Sequence, residues 1–216
     1  MTLMPGLRIE NLSGAVFGPI DLTVEAGACV GLFGSSGAGK TMLLRAVADL
    51  DPHAGLVALG DRAAETFDPP DWRRRVGLLA AESAWWGATV GEHFSNGAAP
   101  ALGELGFGDE VMAWSVERLS TGERQRLALL RLLAGEPEAL LLDEPTANLD
   151  PENAAAVEAL VASYRAGRAA PVIWVAHDRG QLRRVADRAY RMSAGSLEQP
   201  PLTLNSPDAA KSPEPP

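Results

Sequence analysis

The chain has 216 residues, 46% hydrophobic and 22% charged, with a formal net charge of −9 at pH 7. That is enough for one large domain with a sizeable core, and no stretch approaches the ~18 apolar residues a membrane helix needs. The acidic balance gives no support to non-specific nucleic-acid binding. One cysteine, Cys29, rules out an internal disulfide, and the opening MTLMPGLRIENL lacks a secretory pattern, so a reducing cytoplasm is expected.

In chain order, two short strands are predicted at Leu7–Glu10 and Ile20–Val24, the second alternating as IDLTV. A continuous apolar strand, Ala28–Phe33, runs through glycines into the helical spacing of TMLLRAVADL. Further strands are predicted at Leu56–Leu59, Val76–Ala80, Ala139–Leu142 and Val172–Ala176, with helices at Glu123–Leu133, Pro151–Arg165 and Gly180–Ala186. Apolar β-runs alternating with helices imply a mostly parallel sheet covered on both faces. Residues 87 to about 118, rich in Gly and Ala, offer only weak helix at Val90–Phe94 and Asp109–Trp114. They read as the start of a short helical subdomain spanning about 87–135. Residues 201–216, rich in Pro, Ser and Ala, read as a disordered tail after a domain of about 200 residues.

The basic residues are unevenly chosen. Of 19, all but Lys40 and Lys211 are arginine, and Lys211 lies in the tail. Lys40 therefore marks a task for a compact point charge, such as lying between phosphates. It sits in Gly34-Ser35-Ser36-Gly37-Ala38-Gly39-Lys40-Thr41, the G-x-x-x-x-G-K-[ST] pattern, between a strand and a helix. The loop's backbone N–H groups, through to Met42, cradle phosphate oxygens, aided by the positive helix end. Lys40 reaches the β- and γ-phosphates, and the Thr41 hydroxyl ligates Mg²⁺. About 100 residues on, a buried strand ends in Asp143-Glu144. Asp143 is placed to hold the metal's water shell and Glu144 to act as general base on an attacking water.

Leu119-Ser120-Thr121-Gly122-Glu123, immediately before a helix, resembles the LSGGQ signature of ATP-binding cassette (ABC) ATPases. Asp143–Asp150 (DEPTANLD) resembles their Walker B and D-loop, and Val175-Ala-His177-Asp their switch-histidine region. The resemblance covers about residues 7–198 and lies nearest to small bacterial ATP-binding subunits of the iron-export type. It implies an α/β fold of the P-loop NTPase class, an ABC-type nucleotide-binding domain with a mostly parallel core sheet, an N-terminal antiparallel β-subdomain and a short helical subdomain. It also implies a head-to-tail homodimer that sandwiches two MgATP. In it, Ser120, Gly122 and Glu123 of one copy face the γ-phosphate held by the other. His177 then bonds that phosphate beside Glu144, and Asp150 couples the two sites. ATP hydrolysis would drive a separate membrane-spanning permease subunit, with the chain peripheral to the inner face of the cell membrane.

Three departures from the family pattern carry expectations. Ala81 stands where a glutamine usually contacts Mg²⁺ and the attacking water. Either Glu82 reaches in or water fills the place, and water is expected because adjacent residues on an extended segment point oppositely. The adenine-stacking aromatic is missing, and Phe17, the sole aromatic between the first strands, either packs under the small sheet or stacks on the base. Thr121 replaces a glycine, while Gly122 remains. Trp85 and Trp86 fall where the family receives a coupling helix of the membrane subunit. One is expected inward and one in the groove, since tryptophan is a frequent interface anchor. Arg73–Arg75, Arg179, Arg183, Arg184 and Arg188 are expected as solvated faces and ion pairs. The competing functional readings are a non-transport ABC ATPase acting on nucleic acid or another soluble machine, and a regulatory ATP-binding module with weak turnover.

Overall fold

A computed structural model describes residues 6–94, 101–198 and 201–203. Strands β1 (Leu7–Gly14), β2 (Phe17–Val24), β4 (Ala54–Leu59) and β5 (Arg62–Ala63) form an antiparallel sheet in the order β2-β1-β4-β5. In β2 the alternation expected for IDLTV holds: Ile20, Leu22 and Val24 are buried, and Asp21 and Thr23 are exposed.

The centre of the core sheet is built from four largely apolar strands. β3 (Cys29–Phe33), β6 (Val76–Leu79), β7 (Ala139–Asp143) and β8 (Val172–Val175) run parallel, with β9 (Arg188–Ser193) parallel to β3. The order is β10-β9-β3-β8-β7-β6, where β10 is Ser196–Leu197, and β11 (Leu202–Thr203) pairs antiparallel with β9. Helices α1 (Lys40–Val47), α2 (Pro69–Arg75), α3 (Thr121–Ala134), α4 (Pro151–Arg168) and α5 (Arg179–Val185) complete it. Two apolar clusters result. One, around Leu32, Leu43, Leu141 and Ile173, includes the antiparallel sheet; the other, around Leu127, Leu142 and Trp174, includes residues of the 87–135 region.

Four differences from the sequence expectations have physical causes. β9 carries Arg188 and Arg191 and no β-branched residue, so only Ala189, Tyr190 and Met192 mark its buried face. α2 has one buried residue, Trp72, too little to show a helical period, although Pro69 and Pro70 at its start were a usable signal. The weak helices near 90–94 and 109–114 are 3₁₀ turns at Gly91–His93 and Asp109–Ala113, joined by others at Leu102–Leu105 and Val116–Arg118. Residues 95–100 lie outside the described set. The stretch expected to be disordered from 201 instead contributes β11, and the rest of it lies outside the described residues.

Trp72 anchors α2 on the end of α1. It is fully buried, and its indole N–H donates to the Val47 carbonyl at 2.9 Å. Trp72→Ala is expected to lower unfolding stability by about 3–5 kcal/mol, and Trp72→Phe by less, both read from denaturant midpoints.

Candidate nucleotide site

β3 ends in a loop with three glycines at positive φ, Gly34, Gly37 and Gly39. Gly34 has φ +150°, and a Cβ there would lie 2.2 Å from the Met192 carbonyl oxygen; Gly39, at φ +104°, leads directly into α1. The loop closes around Lys40, which is only 6% exposed. Its Nζ donates to the carbonyls of Gly34 (2.9 Å) and Ser35 (3.0 Å). An ammonium has three hydrogens, so these bonds hold the charge in the loop with donor capacity to spare.

Asp143, at the end of β7, is buried, and Thr41 Oγ1 donates to its Oδ2 at 2.8 Å. Burial pushes the Asp143 carboxyl above its ordinary range. The Thr41 hydrogen bond opposes that rise, and the neighbouring Glu144 charge adds to it. Glu144 follows in a left-handed conformation (φ 50°), its N–H bonded to the Val175 carbonyl of β8 at 3.1 Å. Its Oε1 lies 2.7 Å from Nε2 of His177, two residues beyond β8. A cavity of about 330 Å³ gathers Ser36–Met42, Glu144 and His177 around one space. Gly34 and Ser35 are not in its lining, and their carbonyls accept from Lys40.

Ser120, Gly122 and Glu123 do not line that cavity. Ser120 and Glu123 form the reciprocal cap of α3: Ser120 Oγ accepts the Glu123 N–H at 3.2 Å, and Glu123 Oε2 accepts the Ser120 N–H at 2.8 Å. The bond from the Ser120 N–H is the first cause that holds the Glu123 carboxyl below its usual range. Asp150 caps α4 by accepting the Asn153 N–H at 2.9 Å.

Glu82 is exposed and lines a different space, a groove of about 730 Å³ that also holds Trp86. It is not placed among the residues of the phosphate cavity. A glutamine does approach this segment, from α3: buried Gln125 donates to the Ala80 carbonyl at 3.3 Å and accepts from Ser83 Oγ at 3.2 Å. Gln125 was missed because a single amide within RQRLALL gives no sequence signal of its own. Phe17 is buried in the apolar cluster that holds the antiparallel sheet. Its neighbour Val16, 55% exposed, lines the cavity instead, with Ala38 and Met42 as its other apolar residues. Trp85 packs against the core while Trp86 stays 73% exposed, so the pair divides inward and outward as expected.

A family model described as ABC transporter matches residues 17–147. The chain belongs to that family. The cassette is 38% identical over 201 residues to the aliphatic sulfonates import ATP-binding protein SsuB 2 of Frankia alni, covering 90% of this chain and 78% of that protein. It is 38% identical over 193 residues to the Fe(3+) ions import ATP-binding protein FbpC 2 of Rhodococcus jostii, covering 83% and 56%. A solved ATP-binding subunit of an ABC transporter superposes with TM-score 0.83 at 21% identity, covering 92% of this chain and 90% of that one, which shows the shared fold. The relatives named are import subunits and lend nothing to the iron-export detail.

Asp143 generates a pH-dependent prediction. A carboxyl with a raised folded value binds its proton more tightly in the native state. Its ionisation therefore costs native stability as pH climbs above the unfolded value near 3.8. In metal-free buffer, Asp143→Asn is expected to be more stable than the parent at pH 7, with the advantage shrinking towards pH 4. Unfolding curves at both pH values check this.

Proposed function

We propose that this ABC ATPase binds and hydrolyses MgATP at two sites, each shared between two copies of the chain, and so drives a membrane-spanning partner. One observation carries the reading. Lys40, Thr41, Glu144 and His177 line a single cavity, with Asp143 bonded to Thr41, while Ser120, Gly122 and Glu123 at the start of α3 lie outside its lining.

Two hard oxygen donors already in contact, Thr41 Oγ1 and Asp143 Oδ2, fit Mg²⁺. When bound, the ion would neutralise charge on the β- and γ-phosphate oxygens. Lys40 exchanges a carbonyl partner for the phosphates. Glu144 takes a proton from a water whose oxygen attacks the γ-phosphorus, as the bond from phosphorus to the ADP oxygen breaks. His177 orients Glu144 through the 2.7 Å contact and carries a hydrogen bond to the γ-phosphate once the second copy closes. Water, rather than a side chain at Ala81, completes this edge of the site. The base rests against Val16 without an aromatic partner.

The partner docks in the groove beside Trp86, where two of the three exposed large apolar side chains among the described residues, Leu50 and Trp86, lie together. The sulfonate and ferric-ion import named for the relatives makes import of a small anion or metal ion the favoured transport class. A nucleic-acid role has less support, because the arginine clusters are engaged in ion pairs. Arg73, Arg74 and Arg75 pair with Asp49, Asp71 and Glu138, and Arg184 and Arg188 with Glu158 and Glu25.

Glu144→Gln is expected to cut steady-state hydrolysis by about 10²-fold or more while MgATP traps a dimer, read by phosphate release and light scattering. Trp86→Ala is expected to leave basal hydrolysis within about twofold yet weaken capture of the membrane partner by about tenfold or more, as interface anchors do. Hydrolysis and partner co-purification separate the two effects.

A further inference from the structure

Beneath Trp86 lies a buried histidine with both ring nitrogens committed. His93 Nε2 accepts the backbone N–H of Trp86 and that of Gly87, each at 2.9 Å. Nδ1 lies 2.9 Å from the Thr89 carbonyl, which can only accept, so Nδ1 carries the hydrogen. An imidazole meets both demands only when neutral and protonated on Nδ1. A proton on Nε2 would face two N–H donors.

The surroundings tighten this fit. The Trp85 and Trp86 rings meet the imidazole edge-on, with centroids at 4.7 and 4.6 Å. Residue 87 is glycine for a local reason: a Cβ there would lie 3.0 Å from His93 Cε1 and 2.6 Å from Glu92 Oε2. On the far side, the Arg131 guanidinium lies 4.8 and 4.9 Å from the two indole centroids and donates to the Ala84 carbonyl at 3.0 Å. Burial lowers its pKa from the ordinary arginine value.

The charged groups around the ring oppose one another. Arg131 disfavours a second positive charge. Glu92 favours one, but its carboxylate is already held by the N–H groups of Ala88 and Thr89 and by the Thr89 hydroxyl. Across the groove stand Arg45, Arg73, Arg74 and Glu82. Of these, Arg45, Arg73 and Arg74 pair with aspartates outside the groove lining.

We infer that His93 is the positioning residue of the Trp86 surface: its neutral form clamps the 85–89 turn and holds Trp86 in the groove, and protonation releases the turn. The proton thereby controls whether the docking anchor is presented. The consequence for a membrane partner rests on the docking role proposed above. Docking is firm while the ring is neutral and fails once it takes a second proton.

The test follows the backbone amides of Trp86 and Gly87 in ¹H–¹⁵N spectra of the full chain from pH 8 to pH 5, with their hydrogen-exchange protection. His93→Gln serves as the non-titrating comparison, since a side-chain carbonyl accepts N–H bonds but takes no proton in this range. Both amide signals are expected to move with the His93 ring signals on one midpoint. Their protection should fall about tenfold or more, as two neutral hydrogen bonds are lost. His93→Gln should show no such transition. Amides that keep their positions and protection while the ring titrates would overturn the inference, as would a ring that stays neutral to pH 5. The wild-type titration decides the matter even if the variant folds poorly. A failed titration leaves the docking reading standing, and a Trp86→Ala chain that still captures the partner leaves the clamp standing.

Discussion

The register of three strands is the constraint on which the site depends. Val175 of β8 pairs with Leu32 of β3 on one side and Asp143 of β7 on the other. That single row brings three chain ends to one edge of a parallel sheet, where ligands of open α/β folds collect. The phosphate loop leaves two residues after Leu32, Glu144 follows Asp143 directly, and His177 lies two residues after Val175. A slip of one residue in either pairing would reverse the faces and separate Lys40, Asp143 and Glu144. Strands buried along their whole length resist such a slip, because every side chain already has a packed partner.

Within that frame, polar groups hold one another in wait. Lys40 spends two hydrogen bonds on carbonyls of its own loop, Thr41 rests on Asp143, and Glu144 on His177. Each is a contact that a charged phosphate or hard cation can replace with a stronger one, so the arrangement is satisfied alone and ready for exchange. Asp143 carries the cost, as its raised pKa shows. A site that favours its own ligands in this way gives up some stability when empty.

The sequence made the core of this legible where local chemistry is strict. The phosphate loop and the Asp143–Glu144 strand end could be read because each needs particular residue types at fixed spacing. The four buried parallel strands were visible as apolar runs. β9 was hidden by its arginines, and α2 by having one buried residue. Relations between distant segments were less legible still. Gln125 reaching Ala80, Val16 rather than Phe17 lining the cavity, and His93 under Trp86 all depend on how separate segments come together. Spacing along the chain does not encode those meetings.

The central claim is that each catalytic site is split between two copies, and complementation tests it most directly. One preparation carries Lys40→Ala. The other carries Ser120→Asp, which keeps an N-cap acceptor but sets a carboxylate against the phosphate. Each alone should be inactive. Mixed in equal amounts, they should recover about a quarter of parental MgATP hydrolysis, since half of a random symmetric-dimer population carries one intact site. A mixture as inactive as its components, or full activity in the Ser120→Asp chain alone, would contradict the shared site.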